Sequence, residues 1–152
     1  EVNLSSLFEN HIKKLRFLSP ERKVKTTLAP NIKVTGDLYL LRIAVENLID
    51  NAWKFTADKE QTLIEMGVQN ENDRNIYYIR DNGIGFDPRH AEKLFLPFQS
   101  LHQTNQFTGT AIGLNLVYRI IVRHGGEIWA ESEPDRATTF YFTIPCNTLD
   151  KI

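Results

Sequence analysis

The chain has 152 residues, 41% of them apolar, and 18 basic residues against 19 acidic ones give a formal net charge of −1. That length and apolar content predict one folded domain over residues 1–152 and exclude a disordered chain. The balanced charge speaks against nucleic acid or a membrane surface as a partner, and the lone Cys146 excludes an internal disulfide.

Within residues 2–18, Leu7, Phe8, Ile12, Leu15 and Leu18 recur at three- and four-residue steps. This predicts a helix, with Ser5 or Ser6 as its N-cap. Residues 24–28 and 32–34 read as short strands divided by Ala29-Pro30-Asn31. Asp37 then offers an N-cap for a long helix to about Phe55, with Leu41, Val45, Leu48, Ile49 and Ala52 on its apolar stripe. Past Asp58-Lys59-Glu60 the period changes to two. Residues 63–69 and 75–80 predict an antiparallel pair joined by the polar turn NENDRN. Pro88 suits the first position of a short helix capped by Asp87. The polar run over 98–108 predicts a loop, and a helix over 113–124 stops at Gly125-Gly126. Residues 127–132 and 138–144 complete a last hairpin. The sum is an α/β two-layer sandwich, a mixed and mostly antiparallel sheet with helices on one face.

Three stretches carry chemistry. Asn47, Asn51 and Lys54 share one face of the long helix. An amide oxygen beside phosphate oxygens is a usual seat for magnesium, and Lys54 brings a mobile positive charge to the same phosphates. Alone, these residues also read as a solvated helix face. The run DNGIGFD, residues 81–87, ends a strand. Its glycines leave room for a ligand, and Asp81 can accept a hydrogen bond from the amine of adenine where guanine presents an oxygen. Alone, it also reads as a glycine turn. The run GTAIGL, residues 109–114, follows the loop and opens a helix, where backbone N–H groups can meet an anion. A hinge before an ordinary helix is its plainer reading.

In this order the stretches resemble the catalytic, ATP-binding domain of sensor histidine kinases, in the superfamily shared with gyrase, the heat-shock ATPase chaperones and the mismatch-repair ATPases. ENLIDNAWKFT resembles the N box, and RDNGIGFD the first glycine box. LFLPFQSLH resembles the F box, and GTAIGLNLVYRIIVRHGGEIWAESE the second glycine box with the helix and strand after it. The wording is nearest to phytochrome-like and hybrid sensor kinases. The resemblance implies a Bergerat-type fold, ATP and Mg2+ as cofactors, Asn51 as the metal ligand and Asn47 and Lys54 beside the phosphates. It implies a nucleotide-binding set of Phe55, Asp81, Gly83, Gly85 and Phe86, with Gly109, Thr110, Ala111, Ile112, Gly113 and Leu114 at the far hinge. Phe95 and Phe98 would anchor the lid. The implied partners are a phosphoacceptor helical hairpin of the same protein and a downstream response regulator. The lone Cys146 points to a reducing, cytoplasmic setting, with any membrane segment elsewhere in the parent chain.

The sequence also departs from the family. Ala111 stands where glycine is usual, the lid stretch HQTNQFT holds no Lys or Arg, and EPDRATTF lacks the usual glycines. A binding-only module is therefore one alternative. A gyrase-type ATPase is another, but such enzymes carry a water-activating glutamate where this chain has Asn47. His11, His90, His102 and His124 read as non-catalytic, which places the acceptor histidine outside these residues.

Overall fold

The computed structural model describes residues 1–86, 89, 94–95, 110–134 and 136–145, with the backbone alone described at 110–112. Elements run β1 (Val2–Asn3), α1 (Leu4–Leu18), β2 (Val24–Leu28), β3 (Lys33–Val34), α2 (Leu38–Phe55), β4 (Thr62–Glu71), β5 (Arg74–Asp81), α3 (Thr110–Arg123), β6 (Ile128–Glu133) and β7 (Ala137–Phe142). The main sheet has five strands in the order β2-β4-β5-β7-β6; β2 lies parallel to β4 and the other pairs are antiparallel. A small second sheet pairs β1 with β3, Val2 opposite Val34. The helices pack on one face of the large sheet, as the change of period from 3.6 to 2 and back predicts.

The core follows from that layering. Leu41, Ala44, Val45, Leu48, Ile49, Ala52 and Phe55 form the buried stripe of α2. They meet Ile64 and Met66 of β4, Ile79 of β5, Phe140 and Phe142 of β7, and Leu114, Val117 and Ile121 of α3 in one cluster. Leu48 and Ile49 are fully buried, and each such side chain stabilises the fold by roughly 1.5–3 kcal/mol.

Local chemistry sets the ends of the helices. The Asp37 side chain accepts from the Leu40 N–H at 2.9 Å, as expected of a cap. Its own N–H donates to His124 Nε2 at 3.1 Å, while His124 Nδ1 faces the Ile120 carbonyl at 2.8 Å. A carbonyl on one side and an N–H on the other require the neutral Nδ1–H tautomer. His124 thus ties the start of α2 to the end of α3. At the other end of α2, Arg22 donates to the Trp53 carbonyl at 2.9 Å and lies over the Trp53 ring at 4.3 Å. It also reaches the Thr56 and Thr62 hydroxyls. The last turn of α2 is held where the candidate site needs it.

Four local expectations are corrected. The cap of α1 is Asn3, which accepts from the Ser6 N–H at 3.0 Å. Ser5 is buried instead, donating to the Ala29 carbonyl and accepting from the Ile32 N–H. Leu18 is 64% exposed, because α1 has run past the core by its last turn. The NENDRN turn narrows to Asn72 and Asp73, both at positive φ, which is the two-residue geometry that follows the right-handed twist of a hairpin. α3 begins at Thr110, not at Gly113; Ala111 is a strong helix former and lets the first turn close early.

Candidate functional site

The N-terminal piece of the site is the polar face of α2. Asn47 donates through Nδ2 to the Ile43 carbonyl at 2.7 Å, and Asn51 through Nδ2 to the Asn47 carbonyl at 3.0 Å. Each bond runs one helical turn back along the same helix. Only an amide nitrogen can make it, so both Oδ1 atoms are turned away from these bonds. Two amide oxygens on one face fit a hard cation that also takes phosphate oxygens. Among the described residues no three His, Cys, Asp or Glu side chains gather for a metal, so the amides are the donors at hand. Lys54 is exposed on the same face, in the last turn, where a cation also suits the helix dipole.

The second piece is the end of β5. Asp81 is 3% exposed, and its Oδ1 accepts from the Gly83 N–H at 2.7 Å. Burial pushes its carboxyl up from 3.8 to about 7, against smaller opposing effects of the Gly83 bond and the Arg80 charge. The two glycines after it are explained by their surroundings. A Cβ on Gly83 would stand 2.6 Å from the Phe55 carbonyl oxygen and 2.7 Å from Asp81 Oδ1. Gly85 has φ +71° and lies against Ser132 and the Glu133 carbonyl. The space they open is filled by the chain itself, so this turn can press against α2. The Ile84 N–H donates to the Phe55 carbonyl at 3.2 Å, and the Phe86 N–H to Ser132 Oγ at 2.7 Å. Phe55 and Phe86 are themselves core residues, 4% and 3% exposed.

The third piece is the first turn of α3. A Cβ on Gly113 would come within 2.9 Å of Asn47 Oδ1, so the glycine lets this turn lie directly on the amide face of α2. Leu114 is fully buried beneath it. Phe95 packs against Tyr118 and Phe140, with ring centroids 6.3 and 6.2 Å away, and its carbonyl accepts from Asn115 Nδ2 at 2.8 Å. Thr110, Ala111 and Ile112 begin α3 by their backbone. Gly109, Phe98, His90, His102 and Cys146, and the helix expected at Pro88, lie outside the described residues.

One residue escaped the sequence reading. Thr138 of β7 stands directly opposite Asp81 of β5, so both side chains leave the sheet on the same face. It is fully buried, and among the described residues its hydroxyl has no hydrogen-bond partner. A buried carboxyl beside an orphaned hydroxyl fits a ligand with alternating donors and acceptors on one edge, as a purine has. Only the register between β5 and β7 reveals the pair.

Residues 36–148 match the family described as "Histidine kinase-, DNA gyrase B-, and HSP90-like ATPase". The chain is similar to the phytochrome-like protein Cph1 of Synechocystis sp., 41% identical over 112 residues, which is 74% of this chain and 15% of that protein. It is similar to the methanogenesis regulatory histidine kinase FilI of Methanothrix harundinacea, 39% identical over 127 residues, 82% of this chain and 14% of that one. It therefore spans about one seventh of the length of these relatives. Its fold superposes on a mycobacterial sensor histidine kinase, MprB, with a TM-score of 0.77 at 20% identity, covering 94% of this chain and 95% of the other.

Proposed function

The chain belongs to the histidine kinase-, DNA gyrase B- and HSP90-like ATPase family, and from that premise we propose that it binds ATP and passes the γ-phosphate to a histidine on a separate helical hairpin, for onward transfer to a response regulator. The observation that carries this reading is the meeting of three distant segments. The end of β5 closes on Phe55, and the first turn of α3 closes on Asn47.

Each segment has a task in that reading. Asp81 and Thr138 take the purine edge, with the Asp81 carboxylate accepting from the exocyclic amine. Asn51 and Asn47 offer amide oxygens where Mg2+ and phosphates would meet, and Lys54 adds a cation. Magnesium, when bound, neutralises phosphate charge as the terminal phosphoryl group leaves. The protein's contribution to phosphoryl transfer is then alignment and electrostatics, with little covalent chemistry required.

Hydrolysis is the weaker reading, for a specific reason. A water-activating base would need a carboxylate on the amide face. Asn47 has none, and Glu46 points elsewhere: its Oε2 lies 3.8 Å from His11 Nδ1 and 3.8 Å from Arg42 Nε. A transfer domain that shields its phosphoryl group from water has no use for such a base.

The test is a titration of wild type and Asn51→Asp with a non-hydrolysable ATP analogue, with and without magnesium. A carboxylate at 51 repels bare triphosphate and is relieved by the cation. The gap between the two conditions is expected to widen about tenfold or more. An unchanged gap removes Asn51 from the metal site. Transfer itself is read by supplying a histidine-bearing helical hairpin and looking for acid-labile phosphate on it.

A further inference from the structure

The face of the five-stranded sheet away from the helices, uncovered among the described residues, carries a second constellation. Trp129 of β6, Tyr141 of β7 and Tyr78 of β5 stand in one cross-strand row. The next row holds Glu131, Thr139, Arg80, Glu65 and Thr27. Beside these rows is a cleft of about 320 Å³, lined by Lys25, Leu63, Glu65, Arg80 and Arg136, among others, and bordered by Asp81. That volume is at the lower end for a small-molecule site.

The charges on this face are unequally engaged. Glu65 accepts from Tyr78 Oη at 2.8 Å, and Tyr78 reaches it by lying across Gly67. Glu131 meets Tyr141 Oη at 3.4 Å, and Glu133 pairs with Arg136 at 3.5 Å. Glu127 pairs with Arg74 at 3.8 Å. Each of these carboxylates has a partner. Among the described residues Lys25 and Arg80 form no ion pair, and Arg80 sits on the central strand of the sheet. The cleft is thus lined by three cationic residues and two acidic ones, Glu65, already bonded to a tyrosine, and Asp81, buried with its side chain on the other face of the sheet.

We propose that this cleft binds a small organic anion, a phosphate or carboxylate compound, between Arg80, Lys25 and Arg136, with Leu63 and Thr27 beneath its uncharged part. A guanidinium takes two oxygens of such a group at once, and Lys25 supplies a point charge from the neighbouring side. The cleft borders Asp81 at the end of β5, but Arg80 and Asp81 are successive residues of that strand, so their side chains leave the sheet on opposite faces; the anion lies on the Arg80 face, and both sites can be filled together.

The test uses inorganic phosphate and citrate as separate probes on the chain saturated with a non-hydrolysable ATP analogue, followed by backbone amide NMR shifts. The expected result is saturable shifts centred on Lys25, Arg80 and Leu63 with at least one probe, unaffected by the nucleotide. The probe that saturates at lower concentration tells phosphate from carboxylate. Arg80→Gln should weaken binding about tenfold, and Lys25→Gln less. Both side chains are exposed, so these variants are expected to fold, which their spectra check directly. Shifts that rise without saturation, that are equal in Arg80→Gln, or that vanish once nucleotide is bound would overturn the proposal. Loss of ATP binding alone would sink the nucleotide reading and leave this one standing.

Discussion

His11 and Asp81 are both buried, 7% and 3% exposed, yet the chain surrounds them in opposite ways. His11, on α1, projects onto α2. Its Nε2 meets Asp50 Oδ1 at 2.7 Å; its Nδ1 makes no hydrogen bond among the described residues but lies 3.8 Å from the Glu46 Oε2 charge. Among the described residues Asp81 receives one N–H bond, from its own turn, and faces a hydroxyl with no partner. The first environment answers a polar group with charges of the protein. The second takes water away and supplies little in return. A fold does not gain stability from such an arrangement. This contrast accords with a structural seam between α1 and α2 and with the proposed purine contact at the end of β5.

Replacing Asp81 tests this contrast hardest. In Asp81→Asn the bond from Gly83 is retained and the charge is lost. ATP affinity is expected to fall about 10- to 100-fold, from a lost hydrogen bond to a charged group, and preference over GTP should narrow. The pH dependence has a definite sign. Burial holds the Asp81 proton up to about pH 7, whereas the ordinary value is 3.8. The folded chain therefore keeps a proton that the unfolded chain has already lost. Its stabilising contribution is full below the ordinary value and disappears as pH rises through about 7, a change on the order of 4 kcal/mol. Binding runs the other way. If the ionised carboxylate accepts the purine amine, affinity drops up to about tenfold per pH unit below 7. Denaturant curves and titrations at pH 5 to 8 should show both trends in wild type and neither in Asp81→Asn. Flat profiles in wild type would show that Asp81 is not the strained acid described.

His11→Ala should give the complementary result. Removing the imidazole leaves Asp50 and Glu46 without it and opens space between two packed helices. A loss of about 1–3 kcal/mol in stability is expected. Nucleotide affinity of the folded variant should change by less than about threefold. A drop in affinity as large as that of Asp81→Asn would break the contrast. It would mean that α1 sets the position of Asn47 and Asn51 through the adjacent carboxylates.

How much of this was legible beforehand depended on how far each feature reaches along the chain. Periodicity and end signals are local, and they located the helices, the paired strands and the Asp37 cap. The Asn47–Asn51–Lys54 face was also legible, because helical spacing alone aligns it. Asp81 was legible from the glycines after it, although the reason for those glycines was not. Gly83 and Gly113 leave room for Phe55 and Asn47, contacts that appear only when α2, β5 and α3 are brought together. The Arg22 anchor at the end of α2 and the His11–Asp50 bond span 31 to 40 residues. No short-range pattern encodes them.

Thr138 is the sharpest case of that kind, and its substitution has the smallest expected effect. Nothing in ATTF marks its second residue as different from its third; the pairing of β7 with β5 does. Thr138→Val keeps the shape and removes a hydroxyl that is buried without a partner. If that hydroxyl only burdens the fold, the variant gains about 1 kcal/mol and binds ATP as before. If it serves the purine edge beside Asp81, the gain in stability comes with a several-fold loss of affinity, and combining it with Asp81→Asn costs less affinity than the two losses added. The second outcome is the one expected from the proposed purine contact, because an orphaned hydroxyl beside a buried carboxyl offers two contacts to one ligand. A double-mutant cycle with the ATP analogue, read beside denaturant midpoints, separates the two outcomes.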